Sequence, residues 1–473
     1  MKSRTLPISR NDDISLDITG INSDGQGVGH VCGYAVFVPG ALVGESVQAH
    51  VIKTGSSYAV AKLTDITVPS PDRVVPFCPA FPSCGGCTLQ HLSYPAQLKL
   101  KTQIVQDAFR HIGRFHDVRV RPIIGMDRPL QYRNKGSFPF STLDDGSIAF
   151  GFFSPKSHRL IPITDCPIQN PKIIACVSAI RRWADSNNIA AYDETTGQGL
   201  LRHAVVRISS RGEIMAVIVT TGKLPCQDAL VSALPEAASI WHNINPGNTN
   251  VIFGKEFHLI YGKRTLFHEI NGCQYRISPQ SFLQVNTVQT ELLYKTAIRL
   301  LNPQPEEVIL DAYCGAGTIS LLLSSFCKNV IGIESVPEAI ADASGNAAIN
   351  SINNVSFICG KVEDLLPKYR QAINSLILDP PRKGCDPSVL SCIAESNIPR
   401  LVYISCNPAT LARDAAILSS FGYSVDIIQP VDMFPHTSHV ETVCCLYHQK
   451  KDFISVPYEP KDAEYLNRNE QNM

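Results

Sequence analysis

Leu401-Val-Tyr-Ile-Ser-Cys-Asn-Pro408 reads as a short buried strand running straight into a helix. Three aliphatics with an interleaved Tyr give the strand, and residues 409–420 have helical spacing. Pro408 suits a first helical position, because its missing N–H would find no partner there anyway. Cys406 therefore falls between a strand's carboxyl end and a helix's amino end, where the helix terminus favours thiolate over thiol. A buried, inert thiol is the commoner fate of a lone intracellular cysteine. The surroundings decide between the two.

Upstream, from about residue 273, strand-like segments at 307–311, 329–333, 355–359 and 375–379 precede 401–405, with helical stretches between most of them. Residues 287–301 have helical spacing ahead of the first. Buried strands alternating with helices predict a doubly wound, Rossmann-like α/β sheet. The first strand ends in Asp311-Ala-Tyr313-Cys-Gly315-Ala-Gly317-Thr318, a glycine turn that lets a ligand approach the backbone. The second ends at Glu334, 23 positions after Asp311, about where such sheets place a carboxylate for ribose hydroxyls. The fourth ends in Asp379-Pro-Pro-Arg382. An adenosine-type ligand is expected at these strand ends, and the layout resembles the S-adenosylmethionine (SAM) methyltransferases.

At 473 residues the chain exceeds what one core supports, so two or three domains are expected. Lys+Arg and Asp+Glu both number 42, so any nucleic-acid surface has to be local. Residues 1–13 read as no secretory signal, and no apolar run approaches the ~20 residues of a membrane helix. Sixteen cysteines in a large unsecreted chain point to thiols, metal or catalysis rather than disulfides. A cytoplasmic location without membrane association is expected.

Residues 1–68 read as a small β-barrel. Ile14-Ser-Leu-Asp-Ile18 alternates, Asp24-Gly-Gln-Gly-Val-Gly29 is turn chemistry, and short strands come after it at 34–38, 47–51 and 58–63. Gly25-Gln-Gly-Val-Gly29, Val36-Phe-Val-Pro-Gly-Ala41 and Gly44-Glu45 resemble the TRAM domain, a small RNA-binding barrel attached to RNA-modifying enzymes. Five prolines within 69–82 read as a linker into a mixed α+β domain that extends to 272. There Cys78-Pro-Ala-Phe-Pro-Ser-Cys84-Gly-Gly-Cys87 sets three thiols within ten residues, and Cys166, before a turn-forming proline, is the natural fourth. All-thiolate ligation suits zinc or an iron–sulfur cluster. The spacing is not the paired Cys-x-x-Cys of zinc ribbons, which tilts the reading to a cluster. Between Leu98 and Lys135 nine Lys/Arg stand against three acidic residues, a stretch expected to contact phosphates. The expected division is thus 1–68, 69–272 and a methyltransferase domain at 273–450, with a disordered polar tail at 451–473.

An aromatic after Asp379-Pro-Pro would indicate amino-group methylation, but Arg382 stands there. Cys406 instead suits carbon methylation of a pyrimidine. Uracil C5 is a poor nucleophile until a thiolate adds to C6, and a base must later remove the C5 proton. A carboxylate for that step ends Asp432-Met-Phe-Pro-His-Thr-Ser-His-Val-Glu441, ahead of an apolar strand. Ser405-Cys-Asn-Pro408 together with Phe434-Pro-His-Thr-Ser-His-Val-Glu441 resembles the RNA uracil-C5 methyltransferases, a likeness extending over about residues 10–448. The resemblance implies Cys406 as nucleophile and Glu441 as base, with SAM held by Gln284, Tyr313, Glu334 and Asp379. It also implies a [4Fe-4S] cluster on Cys78, Cys84, Cys87 and Cys166. Thr318 departs from members with Asn after the glycine loop. Ribosomal-RNA members often carry both barrel and cluster, so a uridine of 23S rRNA is the expected substrate, reached if paired or stacked by flipping it out or refolding the local RNA. Transfer RNA, an RNA cytosine and a non-catalytic RNA-binding role are the alternatives, and no protein partner is implied. A radical-SAM enzyme would need a Cys-x-x-x-Cys-x-x-Cys spacing that is not present.

Overall fold

Strands β1 (Asp13–Ile21), β2 (Gly27–Val31), β3 (Tyr34–Val38), β4 (Ser46–Thr54) and β5 (Tyr58–Val68) close into a barrel in the order β1-β2-β3-β5-β4. The computed structural model describes residues 6–448, so the tail expected to be disordered lies outside the described residues. Period-two alternation fills the barrel, burying Val36 and Val38, Val47, Ala49 and Val51, and Ala59 and Ala61. Gly29 is required where β2 crosses β1, since a Cβ there would stand 2.6 Å from Asp17 O.

The segment read as a linker is pinned rather than free. Glu45 is fully buried in the barrel and accepts hydrogen bonds from Arg73 Nε at 2.5 Å and Nη2 at 2.9 Å. The Leu42 and Ser70 N–H groups donate to the same carboxylate. A buried carboxylate needs such partners, and they tie the barrel to the segment around Ser70 and Arg73.

Helix α1 (Tyr94–Asp107) then runs into a π turn at Ala108–Ile112. The middle of the chain is a seven-stranded sheet of β6 (Lys135–Thr142), β7 (Ile148–Phe153), β8 (Leu160–Pro162), β9 (Leu201–Ile208), β10 (Ile214–Thr220), β11 (Ala237–Ile244) and β12 (Glu256–Gly262). Its order is β12-β11-β10-β9-β6-β7-β8, and α2 (Pro171–Ser186) and α3 (Gln227–Ala233) pack against one face. A hairpin of β13 (Leu266–Ile270) and β14 (Cys273–Ile277) leads on.

The C-terminal part alternates as expected: α4 (Thr287–Leu301), β15 (Val308–Ala312), α5 (Thr318–Leu323), β16 (Asn329–Glu334), α6 (Pro337–Ile349), β17 (Val355–Cys359), α7 (Val362–Tyr369), β18 (Ser375–Leu378), α8 (Pro387–Ser396), β19 (Arg400–Ser405) and α9 (Pro408–Ser420). Two further strands, β20 (Tyr423–Val431) and β21 (Glu441–His448), complete a sheet of order β17-β16-β15-β18-β19-β21-β20. The first five strands are parallel, and β21 lies antiparallel between β19 and β20. The direction of winding reverses between β15 and β18, which opens a crevice at their carboxyl ends. Strand β20 escaped the sequence reading because Asp426, Gln429 and Pro430 interrupt its alternation.

Helix α1 packs with this second sheet. Val105 and Phe109 are fully buried in the core beside α8 and α9, each contributing about 1.5–3 kcal/mol. The same helix corrects the reading of the basic run. Lys101 shares an inward face with Gln97 and Val105 and is fully buried, so it cannot contact phosphate. Lys99, Arg110, Arg114, Arg119 and Arg128 remain exposed. All sixteen cysteines are free thiols. Among the described residues no helix is long and apolar enough to cross a membrane.

Candidate active site

Ser405 on β19 pairs with Thr442 on β21, so the next residues outward, Cys406 and Glu441, oppose each other at the sheet's end. The cysteine turn is held tightly. Ser405 Oγ accepts the Asn407 N–H at 3.1 Å, and Asn407 Oδ1 accepts the Ala409 N–H at 3.1 Å, capping α9. Asn407 Nδ2 and Thr410 Oγ1 both donate to Arg382 O at 3.3 Å, joining this turn to Asp379-Pro-Pro-Arg382. Cys406 is half-buried. Burial pushes its thiol up, Glu441 adds to that, and Arg382 opposes it. Desolvation and the facing carboxylate thus work against the ionisation that the helix end favours.

Carboxylates crowd the crevice. Glu441 is 4% exposed, and burial raises it to about 8, with Asp379 adding and Arg382 opposing. Burial likewise raises Asp379 and Asp311 to about 7. Asp311 Oδ2 accepts from Ser320 Oγ at 2.5 Å, while its Oδ1 is buried without a partner. Glu334 Oε1 accepts the N–H groups of Ser335 and Val336 at 2.7 and 3.0 Å, and its Oε2 accepts the Gly315 N–H at 3.3 Å. That last bond sets the glycine turn against the end of β16. In the turn Tyr313, Gly315 and Gly317 have φ of 68°, 54° and 80°. A Cβ on Gly315 would meet nothing within 4 Å, so the backbone there is open to a ligand. A ligand carrying positive charge relieves the crowding, and the sulfonium of SAM does so; these residues fit SAM.

The structure brings Cys406, Glu441, Asp379 and Arg382 into mutual electrostatic contact, and sets Glu334 and Tyr313 on the neighbouring strand ends. The Tyr313 hydroxyl meets the Cys385 thiol. Gln284 lies in the loop between β14 and α4, where Asn134 Nδ2 donates to its backbone oxygen at 3.1 Å; among the described residues no side-chain hydrogen bond joins it to Tyr313, Glu334 or Asp379. What holds the 432–440 loop was not foreseen. Lys101 and Asp432 form a fully buried ion pair across 331 positions, a separation at which sequence carries no pairing signal.

Cys78, Cys84, Cys87 and Cys166 line one cavity of about 370 Å³, which extends past Arg133, Phe434 and His439 to Arg382. Burial, with the neighbouring thiols adding, pushes Cys87 up to about 12 and Cys166 to about 11. Such a set ionises together only around a cation. Among the described residues no group of three or more His, Cys, Asp or Glu is arranged as a metal site.

Residues 261–450 match the family described as tRNA (uracil-5-)-methyltransferase, and residues 11–64 match the TRAM domain. A relative from Halalkalibacterium halodurans, named an uncharacterized RNA methyltransferase, is 43% identical over 455 residues, 94% of this chain and 99% of the relative. Another of that description from Clostridium tetani is 41% identical over 459 residues, 95% and 99% of the two chains. Among solved structures, the Pyrococcus abyssi tRNA (uracil-54, C5)-methyltransferase in complex with S-adenosyl-L-homocysteine superposes with a TM-score of 0.76 at 28% identity, covering 92% of this chain and 100% of that one.

Proposed function

The chain belongs to the RNA methyltransferases of the tRNA (uracil-5-)-methyltransferase family, and from this premise we propose that it methylates C5 of a specific uridine in 23S rRNA through a covalent bond between Cys406 and C6. The observation that carries the proposal is the opposition of Cys406 and Glu441 across β19 and β21, beside the carboxylate-lined crevice.

In this mechanism SAM, when bound, supplies an electrophilic methyl group. Gln284, Tyr313, Glu334 and Asp379 would hold it at the strand ends. Cys406, which is partly exposed, gives its proton to solvent and its Sγ adds to C6, so the C5=C6 pair moves onto C5 and the C4 carbonyl, making C5 nucleophilic. After the methyl group joins C5, Glu441 takes the C5 proton. The freed pair re-forms C5=C6 and expels the Cys406 thiolate. A carboxylate raised by burial is a stronger base than an exposed one, which suits this abstraction.

Cys78, Cys84, Cys87 and Cys166 would hold a [4Fe-4S] cluster. The all-sulfur donor set, gathered on one cavity, fits it. The boundaries 1–68, 69–272 and 273–450 serve as the working division, the second falling in the turn of the β13–β14 hairpin. A cytoplasmic location is part of the same reading, since none of the sixteen cysteines is in a disulfide.

The likeness to the P. abyssi enzyme favours transfer RNA as a second reading, because a transfer-RNA enzyme shares the fold over 92% of this chain. Mapping 5-methyluridine by mass in ribosomal and transfer RNA, with and without the gene, separates the two. Loss of one 23S site is expected. Loss only in transfer RNA establishes the second reading, and no loss in either overturns both.

A further inference from the structure

Glu441 opens β21, where it pairs with Val431 at the end of β20, and loop 432–440, which joins the two strands, is buried without regular structure: Asp432 and Met433 are fully buried, and His436, Thr437, Ser438 and Val440 nearly so. Buried backbone groups need partners, and several of theirs come from outside the C-terminal sheet. Lys101 Nζ donates to Asp432 Oδ1 at 2.5 Å and to Phe434 O at 2.9 Å. Tyr94 OH donates to Asp432 Oδ2 at 2.8 Å. Gln97 Oε1 accepts the His436 N–H at 3.0 Å, and Tyr132 OH donates to Pro435 O at 3.1 Å. The N–H groups of Thr88 and Leu89 both reach His436 O at 3.0 Å. Tyr94, Gln97 and Lys101 fall on one face of α1, so a single helix grips the start and the middle of the loop. A fully buried lysine remains a cation only if matched, and Asp432 is its match.

We propose that Lys101 is the positioning residue for Glu441: by holding the Asp432 carboxylate and Phe434 O, it fixes the loop that closes β20 onto β21, and with it the strand register that keeps the base opposite Cys406. This rests on the reading of Glu441 as the base. Cys406 is placed independently by the cap of α9 and the Arg382 turn. Loosening the clamp therefore impairs proton removal more than attack by Cys406.

The test uses the full chain, SAM, and pooled 23S rRNA and transfer RNA transcribed with either uridine or 5-fluorouridine. Fluorine at C5 cannot be taken as a proton, so the fluorinated pool reports attack and methyl transfer alone, and the uridine pool adds release. Lys101→Met is expected to be trapped by the fluorinated pool at the wild-type rate, within a factor of about three. On the uridine pool it is expected to resolve its adduct about 100-fold more slowly, the cost of a misplaced group. A covalent species then accumulates as in Glu441→Gln. Tyr94→Phe keeps the lysine, loses one bond to Asp432, and is expected to slow release about tenfold; it carries the test if Lys101→Met fails to fold. Equal losses on both pools, or wild-type release by a folded variant, overturn the positioning role. Normal release by Glu441→Gln would instead remove Glu441 as the base, and the role of Lys101 with it.

Discussion

Cys406 and the four thiols of the middle region are all half-buried, on either side of the Arg382 turn, yet they are prepared for different chemistry. Cys406 stands alone between a carboxylate, Glu441, and a guanidinium, Arg382. A single thiol so placed can ionise, attack, and leave again, which a nucleophile that turns over requires. Cys87 and Cys166 have other thiols among their charged neighbours and are raised by them. In the proposed reading that set stays protonated until a cation gathers it. Burial is common to both; the proposed roles, reagent and ligand, rest on what stands beside the sulfur.

The sharpest break between the two is substitution of each kind of thiol. Cys406→Ser is expected to lower methyl transfer from labelled SAM about 10³-fold or more, leaving bound metal unchanged. Cys84→Ser is expected to weaken metal binding at least about tenfold, read as iron content after purification without oxygen. Stoichiometric zinc in the wild type would contradict the cluster. Glu441→Gln comes next, with turnover reduced about 10²–10⁴-fold in a single-turnover assay.

Arg382 sharpens the contrast further, because it opposes the rise in both Cys406 and Glu441. Adduct resolution is expected to increase with pH through about 8 as Glu441 ionises. In Arg382→Gln the inflection should move up by about one unit; a downward or absent shift contradicts the placement. The same carboxyl groups make a stability prediction. In the fold Glu441 holds a proton to about 8 that the unfolded chain has lost near 4.5. The native state then binds more protons, so the SAM-free protein loses stability as pH rises between those values. Calorimetry from pH 5 to 8 should show a falling Tm, and SAM should blunt the fall. The smallest effect lies far from both kinds of thiol. Arg73→Met leaves Glu45 buried without its cation and is expected to cost about 2 kcal/mol, less than a fully buried pair because Arg73 is partly exposed.

Much of this was legible where chemistry and chain order coincide. The strands ending at Asp311, Glu334 and Asp379 and the strand–Cys–Pro–helix of 401–420 announce themselves by apolar runs, glycines and a proline at fixed offsets. The barrel showed in its alternation and turns. The interactions that cross the chain did not show. Glu45 with Arg73, and Lys101 with Asp432, pair residues without local pattern, so the anchoring of the linker did not show and one buried lysine read as RNA surface. At Cys406 the helix end is visible in sequence, and the burial and the carboxylate opposing it are not.

The central claim is the bond between Cys406 and uracil C6, and mapping that bond tests it most directly. Glu441→Gln, incubated with SAM and target RNA, digested with nuclease and protease and measured by mass, should yield a peptide containing Cys406 that carries a methylated uridine nucleotide. Methylated RNA with no adduct on any of the sixteen cysteines, or an adduct on a cysteine other than Cys406, would contradict the account.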